Sequence, residues 1–344
     1  MSASHGRATS ASAWRPNAAA LNSRQLTAEL GNARALPQLL SLEEIHGHRF
    51  DNFNLSAFWS KFKKLPRGEL SGLRDRLAPV CEQTVRMLPR LSARTVATVA
   101  HAFAKAGLVG SGPWENVWAA LPEAVRRRLG EFDAQELSNT AWAFATAGQA
   151  TQALFGALSA EVVRRGLRDF KAQNLSNTAW AFATAGHATQ ALFGAISAEV
   201  ARRGLRDFNA QNLSNTAWAF ATAGHETRAL FDVISTEVAR RELSDFNAQD
   251  LCNTAWAFAT AGHATQALFR AIAAEVVRRE LSEFKARDLS ITAWAFATAG
   301  HETQALFDVI STEVARRGLR DFNAQGISNT AWAFATAGHA TQAL

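Results

Sequence analysis

The chain has 344 residues, of which 48% are hydrophobic and 19% are charged, so it can bury a core and is not disordered as a whole. Its two cysteines, Cys81 and Cys252, exclude a disulfide scaffold or a thiolate zinc site, and no apolar run approaches the roughly 18 residues of a membrane helix. The net charge of +6 is uneven, because residues 1–130 carry 18 basic and 9 acidic residues whereas residues 131–344 carry 18 basic and 21 acidic residues. Attraction to a polyanion is therefore expected in the N-terminal part.

The N-terminal segment is basic. Its first 28 residues contain Arg7, Arg15 and Arg24, are rich in Ser and Ala, and include no Asp or Glu. This composition resembles an organellar transit peptide, and a disordered basic tail over residues 1–23 is the alternative. The sequence thus predicts a mitochondrial or chloroplast location, with the cytoplasm as the alternative.

An internal repeat occupies most of the chain. The motif TAWAFATAG recurs every 38 residues and places its tryptophan at Trp142, Trp180, Trp218, Trp256, Trp294 and Trp332. Upstream, Phe62, Phe103 and Phe144 align with steps of 41 residues, after a segment typical of a capping pair. We predict a right-handed, all-α solenoid of 38-residue helix-turn-helix repeats. A capping pair and two degenerate basic repeats would occupy residues 24–130, and regular repeats residues 131–344.

One regular repeat shows why the units must stack. Its first helix is predicted to begin at the N-cap Asn209 and end at Gly224, and its second to span Glu226 to Arg241. Helical periodicity and the connection to the next unit give as apolar positions Leu213, Ala217, Phe220, Thr227, Leu230, Phe231, Ile234, Val238, Leu243 and Phe246. A pair this apolar cannot bury its surface alone. The sequence stops at Leu344, inside the second helix of the last repeat, so we expect a truncated gene product.

A polar and aromatic stripe follows the opposite side of each first helix. An Asn amide can bond a base edge and a Trp ring can stack on a base, so the stripe is a candidate surface for single-stranded RNA. In the alternative interpretation, each Trp is a spacer between repeats and each Asn belongs to a buried ladder. The candidate residues are Asn139, Asn177, Asn215, Asn253, Asn329, Thr146, Thr184, Thr222, Thr260, Trp180, Trp218 and Trp256.

Arginine pairs end the second helices. The second Arg of each pair has a Glu four residues earlier and is expected to form a local ion pair. The first has no such i,i+4 partner, which makes candidate phosphate contacts of Arg164, Arg202, Arg240, Arg278 and Arg316. The basic run Lys61, Lys63, Lys64 and Arg67 is a further candidate for polyanion capture, although such runs are often only solvated faces.

Nothing in the sequence points to catalysis. His187, His225, His263, His301 and His339 recur one repeat apart, so they cannot gather around one metal ion and are expected in turns. Reactive side chains are duplicated along the array instead of converging on one site. We predict no enzyme activity, metal, cofactor, small-molecule substrate or membrane association.

The 38-residue period, the first helix AQNLSNTAWAFATAG and the second helix LFGAISAEVARR resemble octotricopeptide repeats. They are also similar to the helical repeats of FAST-kinase-like and RAP-domain proteins, including RNA-editing substrate-binding complex subunit 6-like proteins. The resemblance extends over residues 24–344. It implies an organellar RNA-binding protein that acts in transcript processing, stability, editing or translation, with other RNA-processing proteins as partners. The PPPEW-type signature of many algal octotricopeptide repeats is missing, and a RAP domain would have to follow Leu344.

Two hypotheses follow. In the first, single-stranded RNA lies along the concave face with roughly one nucleotide per repeat. In the second, the chain is a protein-interaction scaffold of the HEAT or armadillo type, which the acidic balance of residues 131–344 favours. The stripe itself hardly varies between repeats, with Ile291 in place of Asn as the main exception. Two positions of the repeat do vary. One precedes the Leu or Ile of the first helix and holds Glu136, Asn174, Asn212, Asp250, Asp288 and Gly326; the other lies in the middle of the second helix and holds Gly194, Asp232, Arg270 and Asp308.

Overall fold

A computed structural model describes residues 21–66, 72–225 and 227–339. These residues form seventeen α-helices joined by turns and short 3₁₀ segments, and contain no β-strand, which confirms the predicted all-α repeat fold. Most of the predicted transit peptide or tail, Arg67 in the basic run, and the predicted truncated end at Leu344 lie outside the described residues.

The chain divides into two compact units, Met1–Arg128 and Leu129–Leu344, called here the N-terminal and C-terminal units. The N-terminal unit contains α1 (Ser23–Asn32), α2 (Leu36–His46), α3 (Asn52–Phe62), α4 (Leu73–Met87), α5 (Ala93–Lys105) and α6 (Glu115–Arg127). The C-terminal unit contains α7 (Ala134–Thr146), α8 (Gln152–Arg165), α9 (Ala172–Thr184), α10 (Gln190–Arg203), α11 (Ala210–Ala223), α12 (Arg228–Ala239), α13 (Ala248–Thr260), α14 (Gln266–Arg278), α15 (Ala286–Ala299), α16 (Gln304–Arg317) and α17 (Ala324–Thr336).

Each unit has two layers of helices. The odd-numbered helices, called the leading helices, pack side by side along their lengths in each unit, and the even-numbered second helices form the other layer. In the C-terminal unit the leading helices contact each other far more extensively than the second helices do. Small buried residues such as Ala179, Ala217 and Ala255 lie in this layer and let the helix backbones approach closely.

The predicted repeat Asp207–Ser244 is largely confirmed at its helix ends. The Asn209 side chain accepts a hydrogen bond from the Asn212 N–H at 2.8 Å, and Gly224 ends α11 with a φ of 63°, a left-handed conformation that glycine adopts without strain. The second helix is shorter than predicted, and the assignment of Thr227 to its apolar stripe is wrong. Thr227 is an exposed N-cap whose hydroxyl accepts from the Leu230 N–H at 3.4 Å.

Phenylalanines join the two layers of the C-terminal unit. Phe220 on α11 meets Phe193 on the preceding second helix edge-to-face, with ring centroids 4.8 Å apart, and both side chains are buried. The His225 ring, placed by the left-handed Gly224, lies 5.0 Å from the same Phe193 ring. The repeated histidines therefore follow the turn as predicted, and they also cover the phenylalanine pairs. The same arrangement recurs along the stack.

A polar ladder connects successive leading helices. The Asn174 amide donates to the Ser138 hydroxyl of the preceding repeat, and Asn212 donates to Ser176, both at 3.1 Å. At the next step the direction reverses, because Ser214 donates to Asp250 at 3.0 Å. Asn174, Asn212 and Asp250 occupy the position that varies between repeats, immediately before the Leu. They are buried, so the variation belongs to packing between repeats and not to an exposed recognition surface.

The N-terminal unit has a different core. Trp59 on α3 is fully buried, donates through Nε1 to the Thr84 hydroxyl at 3.1 Å, and lies 4.5 Å from the Phe103 ring on α5. Counted from the aligned phenylalanines, Trp59 stands where the C-terminal repeats have a small alanine such as Ala217. The aromatic bulk thus fills the space between leading helices in this unit.

Candidate nucleic-acid interface

The tryptophans of the C-terminal unit form a ladder along one face of the leading helices. Neighbouring rings have centroids 6.2–6.4 Å apart and planes tilted by 32–35° in the pairs Trp180–Trp218, Trp218–Trp256 and Trp294–Trp332. These rings contact each other, as spacers between repeats would, but each also keeps part of its surface exposed. The ladder is thus both a packing element and an accessible aromatic strip, so neither interpretation of the sequence is eliminated.

The other members of the stripe border this ladder. The threonines Thr146, Thr184, Thr222 and Thr260 are exposed. The asparagines Asn139, Asn177, Asn215 and Asn329 are half-buried, and Asn253 is buried. The stripe therefore combines half-buried amides, partly exposed indoles and free hydroxyls on one side of the stack. Such a surface can stack on bases and exchange hydrogen bonds with their edges.

An open groove of about 470 Å³ follows the stripe from α11 to α17. Trp218 and Trp256 contribute aromatic surface, and Arg287 and Ile291 on α15 contribute a cation and an aliphatic side chain. Gly326 at the start of α17 completes the wall without a side chain. This groove brings predicted stripe residues together with two positions where one repeat departs from the others.

The corresponding face of the N-terminal unit is basic. Counted from the aligned phenylalanines, Lys64 just after α3 and Lys105 at the end of α5 stand where the regular repeats have the stripe threonine, and His101 stands where they have the tryptophan. The Lys63 amine lies 3.0 Å from Nδ1 of His101. Lys64 is exposed, whereas Lys61 and Lys63 are half-buried. We call Lys63, Lys64, His101 and Lys105 the basic cluster.

The pKa values in the basic cluster reflect burial first and crowding of like charges second. Burial, followed by the charges of Lys63 and Lys105, lowers the pKa of His101 from 6.5 to about 4. Burial, followed by the charges of Lys64 and Lys105, lowers the pKa of Lys63 below its usual 10.5. An anion placed against this cluster would relieve the repulsion, so the site can attract phosphate.

The first Arg of each pair has no i,i+4 carboxylate, as the sequence indicates, but it does have one at i,i+3. Arg202 donates through Nε and Nη2 to both oxygens of Glu199, at 2.9 and 2.7 Å. Residues three apart are also neighbours on a helix surface, which allows this pairing. The same fork is present at Arg164, Arg240, Arg278 and Arg316, each with the glutamate three residues before it.

The second Arg of each pair connects repeats. Arg203 also binds Glu199, and its Nη1 and Nη2 donate to the Phe170 and Leu167 carbonyls before α9, at 2.6 and 3.1 Å. We call this arrangement the arginine staple. Its equivalents at Arg165, Arg241, Arg279 and Arg317 reach carbonyls of the preceding connection in the same way. We call each Glu with the two Arg that bind it an Arg–Glu–Arg triad. Hydrogen bonds from the first Arg of the triad make the largest contribution to lowering the pKa of Glu161, Glu199 and Glu313, to about 2.

These triads change the value of the arginines as RNA contacts. The first arginines, such as Arg202, are exposed, but each is bound to a carboxylate and lies at the end of a second helix, in the layer away from the tryptophan ladder. A phosphate there would compete with Glu199 for the guanidinium. The arginine row is thus weaker as a candidate than the basic cluster.

Several residues of the groove were not selected from the sequence as site residues, and Arg287 and Gly326 are two of them. Arg287 stands where the other leading helices of the unit have glutamine, at Gln135, Gln173, Gln211, Gln249 and Gln325. A comparison of the residues at this position in all the leading helices of the unit would have identified Arg287. Gly326 was recognised as variable, but its effect on the groove depends on the neighbouring Ser290, which only the folded chain reveals.

Within the described part of the chain, no helix is long and apolar enough to cross a membrane. A search of the same residues finds no group of three His, Cys, Asp or Glu side chains placed to hold a metal ion.

The chain matches a protein-family model. The model described as RNA-editing substrate-binding complex 6 protein covers residues 75–344, which is more than half of the chain. A comparison with curated proteins finds no match. The family match confirms that part of the sequence resemblance, whereas the octotricopeptide and RAP-domain assignments remain predictions.

Proposed function

The chain belongs to the family of RNA-editing substrate-binding complex 6 proteins, and from that premise we propose that it binds single-stranded RNA along its leading helices without catalysing a reaction. It would act as one component of an RNA-editing assembly. Of the organelles expected from the sequence, we propose the mitochondrion, because the basic, acid-free N-terminal segment is typical of import sequences.

The observation that carries this proposal is the strip of partly exposed tryptophans, in contact from Trp180 through Trp218 to Trp256 and flanked by amides and hydroxyls. A strip with one aromatic ring per repeat suits a strand of nucleotides better than it suits a compact ligand. The closer packing of the leading helices curves a stack toward their free side, so this strip would lie on the concave side of the C-terminal unit.

The basic cluster supports a second, complementary contact. Lys64 and Lys105 occupy the position of the stripe threonine in the N-terminal unit, whose sequence contains 18 basic and only 9 acidic residues. Lysine ammonium groups bind phosphate as point charges and do not read bases. The proposed division is therefore electrostatic capture by the N-terminal unit and stacking by the C-terminal unit.

The test is a salt titration of binding to labelled 20-nucleotide oligomers of U, A, C and G. K64Q should lower the slope of log affinity against log salt by about 0.7, since one phosphate contact is lost. W218A should instead weaken binding by about 1–3 kcal/mol at every salt concentration and leave the slope unchanged. Conservative W218F should recover part of that loss.

The matched control is R270Q, which removes one exposed positive charge from the second helix α14. It should bind RNA like the unsubstituted protein. The proposal fails if none of the four oligomers binds at low salt. It also fails in its division of roles if K64Q and R270Q change the salt slope equally.

A protein-interaction scaffold is the second candidate function. The C-terminal unit has 18 basic and 21 acidic residues, a balance that does not favour a polyanion. The family to which the chain belongs is also named for a complex. This candidate predicts a protein partner that stays bound after nuclease treatment and in high salt, whereas an RNA-bridged partner would be released.

A further inference from the structure

The groove between α11 and α17 lies where the repeat pattern changes most. Arg287 and Ile291 lie on one face of α15, four residues apart, where the other leading helices of the unit have Gln and Asn. Gly326 replaces a larger polar or acidic residue one repeat later. All three substitutions line the same groove. Three departures from a near-identical repeat that meet at one surface indicate a local site.

Gly326 opens the wall of this groove. At the equivalent position Asn212 fills the space and bonds Ser176 of the preceding repeat. With no side chain at Gly326, Ser290 donates instead to the Ala286 carbonyl at 2.9 Å, and accepts a bond from Thr330 at 3.2 Å. The bridge seen at Asn212 is therefore absent at this step, and Gly326 and the Ser290 side chain line the groove.

The groove contains the chemistry that a nucleotide requires. Its volume of about 470 Å³ is in the range of small-ligand sites, roughly 300–1,000 Å³. Ile291 and Trp256 provide an apolar and an aromatic wall for a base, and the exposed Arg287 provides a planar cation for a phosphate. Asp321, which also lines the groove, can accept a hydrogen bond from a ribose hydroxyl or a base amino group.

We infer that this groove holds one nucleotide of the bound RNA, with its phosphate at Arg287 and its base against Ile291 and Trp256. The inference rests on the proposed RNA binding and goes beyond it. It makes α15 the one leading helix of the C-terminal unit that grips the backbone of the strand, while the Gln-bearing helices only stack and bond. Because the stripe hardly varies between repeats, this contact at α15 would set the register of the RNA strand along the leading helices.

The experiment restores the regular repeat at each departure. R287Q and I291N introduce residues that the other repeats already hold at the same positions, so the fold should be kept. G326N puts a side chain back at the groove wall. A Cβ at Gly326 would lie 3.1 Å from the Ser290 hydroxyl oxygen and 3.3 Å from Asn323 Oδ1, so both side chains must move slightly, after which the Ser290 hydroxyl can pair with the new amide. R270Q on α14 is again the charge-matched control.

Binding of the labelled homopolymer that the unsubstituted protein binds best is then measured against salt. R287Q should weaken binding about tenfold and lower the salt slope by about 0.7, as expected for one charge-assisted phosphate contact. I291N and G326N should weaken binding by roughly threefold to tenfold with an unchanged slope, because they alter the base pocket and no charge.

Two results would overturn the inference and leave the proposed function intact. In the first, R287Q binds with the affinity and slope of the unsubstituted protein. In the second, R287Q and R270Q weaken binding equally, which would mean that only overall charge matters. If the unsubstituted protein binds none of the four oligomers, the proposed function itself fails and this inference with it.

Discussion

The two units use the same positions of a leading helix in opposite ways. In the N-terminal unit Trp59 lies in the core, and Lys64 stands at the position of the stripe threonine. In the C-terminal unit a small buried residue such as Ala217 occupies the core position of Trp59, and Trp218 lies on the partly exposed face. Small residues let leading helices pack closely without aromatic filling. The tryptophan is then available for the surface.

The units also differ in what their charges do. Every described Arg–Glu–Arg triad of the C-terminal unit is bound internally, with Glu199 only 8% exposed beneath Arg202 and Arg203. In the N-terminal unit the corresponding Glu123 is 47% exposed, and like charges crowd together in the basic cluster. Charge therefore joins repeats in the C-terminal unit, whereas in the N-terminal unit it is concentrated in a cluster that can attract anions. Although the two units have similar numbers of basic residues, the attraction for a polyanion can thus be concentrated in the N-terminal unit.

The largest expected effect contrasts the two kinds of tryptophan. W59A should destabilise the N-terminal unit by about 3–5 kcal/mol, because it opens a cavity beside Phe103 and orphans the Thr84 hydroxyl contact. W218A should cost only about 1–2 kcal/mol, since it loses two ring contacts on a partly exposed face. Urea unfolding followed by far-UV circular dichroism measures both.

Equal losses in these two variants would contradict the comparison, because the Trp218 ring would then be as essential to packing as Trp59. W218A is also the variant used for RNA binding. A small loss of stability would show that its binding defect comes from the missing ring and not from unfolding.

The second prediction concerns the arginine staple. R203M keeps the aliphatic stem but leaves the Phe170 and Leu167 carbonyls without their guanidinium donor, and should cost about 1–3 kcal/mol. Its counterpart in the N-terminal unit is R127M, which breaks an ion pair between side chains that are 62% and 47% exposed. That change should have little effect on stability, because solvent screens an exposed ion pair.

Hydrogen exchange distinguishes the two cases locally. R203M should increase exchange in α9 and α10, which the staple connects, whereas R127M should leave the exchange of α6 nearly unchanged. A large effect of R127M would show that the exposed triad is as important as the buried one.

The smallest expected effect is a difference in acid response. The pKa of Glu199 is held at about 2 by hydrogen bonds from Arg202 and Arg203 against burial, so its contribution is complete above pH 4.5 and is lost as pH falls toward 2. The pKa of His101 is lowered to about 4, mainly by burial, so the stability linked to its neutral form is present above pH 6.5 and is lost as pH falls toward 4. The N-terminal unit should respond to acid first.

Thermal unfolding at several pH values tests this order. Between pH 6.5 and 4.5, H101Q should lose about 2–4 °C less than the unsubstituted protein. Glu43 acts in the opposite direction in the same unit, because burial raises its pKa to about 7 and its protonated form is lost as pH rises through that value. E43Q should therefore flatten the change above pH 5. The linkage is wrong if H101Q and E43Q shift the profile in the same direction.

Periodicity and local chemistry determined much of the fold in advance. The 38-residue spacing, the Asn209 cap and the Gly224 stop predicted α11 almost to the residue, because caps and turns depend on neighbours in sequence. The same reasoning placed Leu213, Phe220 and Phe246 in the core. The stripe of Asn, Trp and Thr was also visible, since a helix places every third and fourth residue on one face.

The roles of side chains that cross between repeats were decided only by the tertiary structure. Local pairing could suggest a salt bridge for Arg203, but its carbonyl contacts depend on how closely the preceding connection approaches. Asn212 stood out in the sequence only as a variable position, and its burial against Ser176 follows from the stacking of repeats. The groove beside Gly326 is lined by residues of four leading helices, so it forms only when successive repeats stack. Sequence specified the repeating unit, and packing between units decided which of its side chains hold the stack together and which remain available to a ligand.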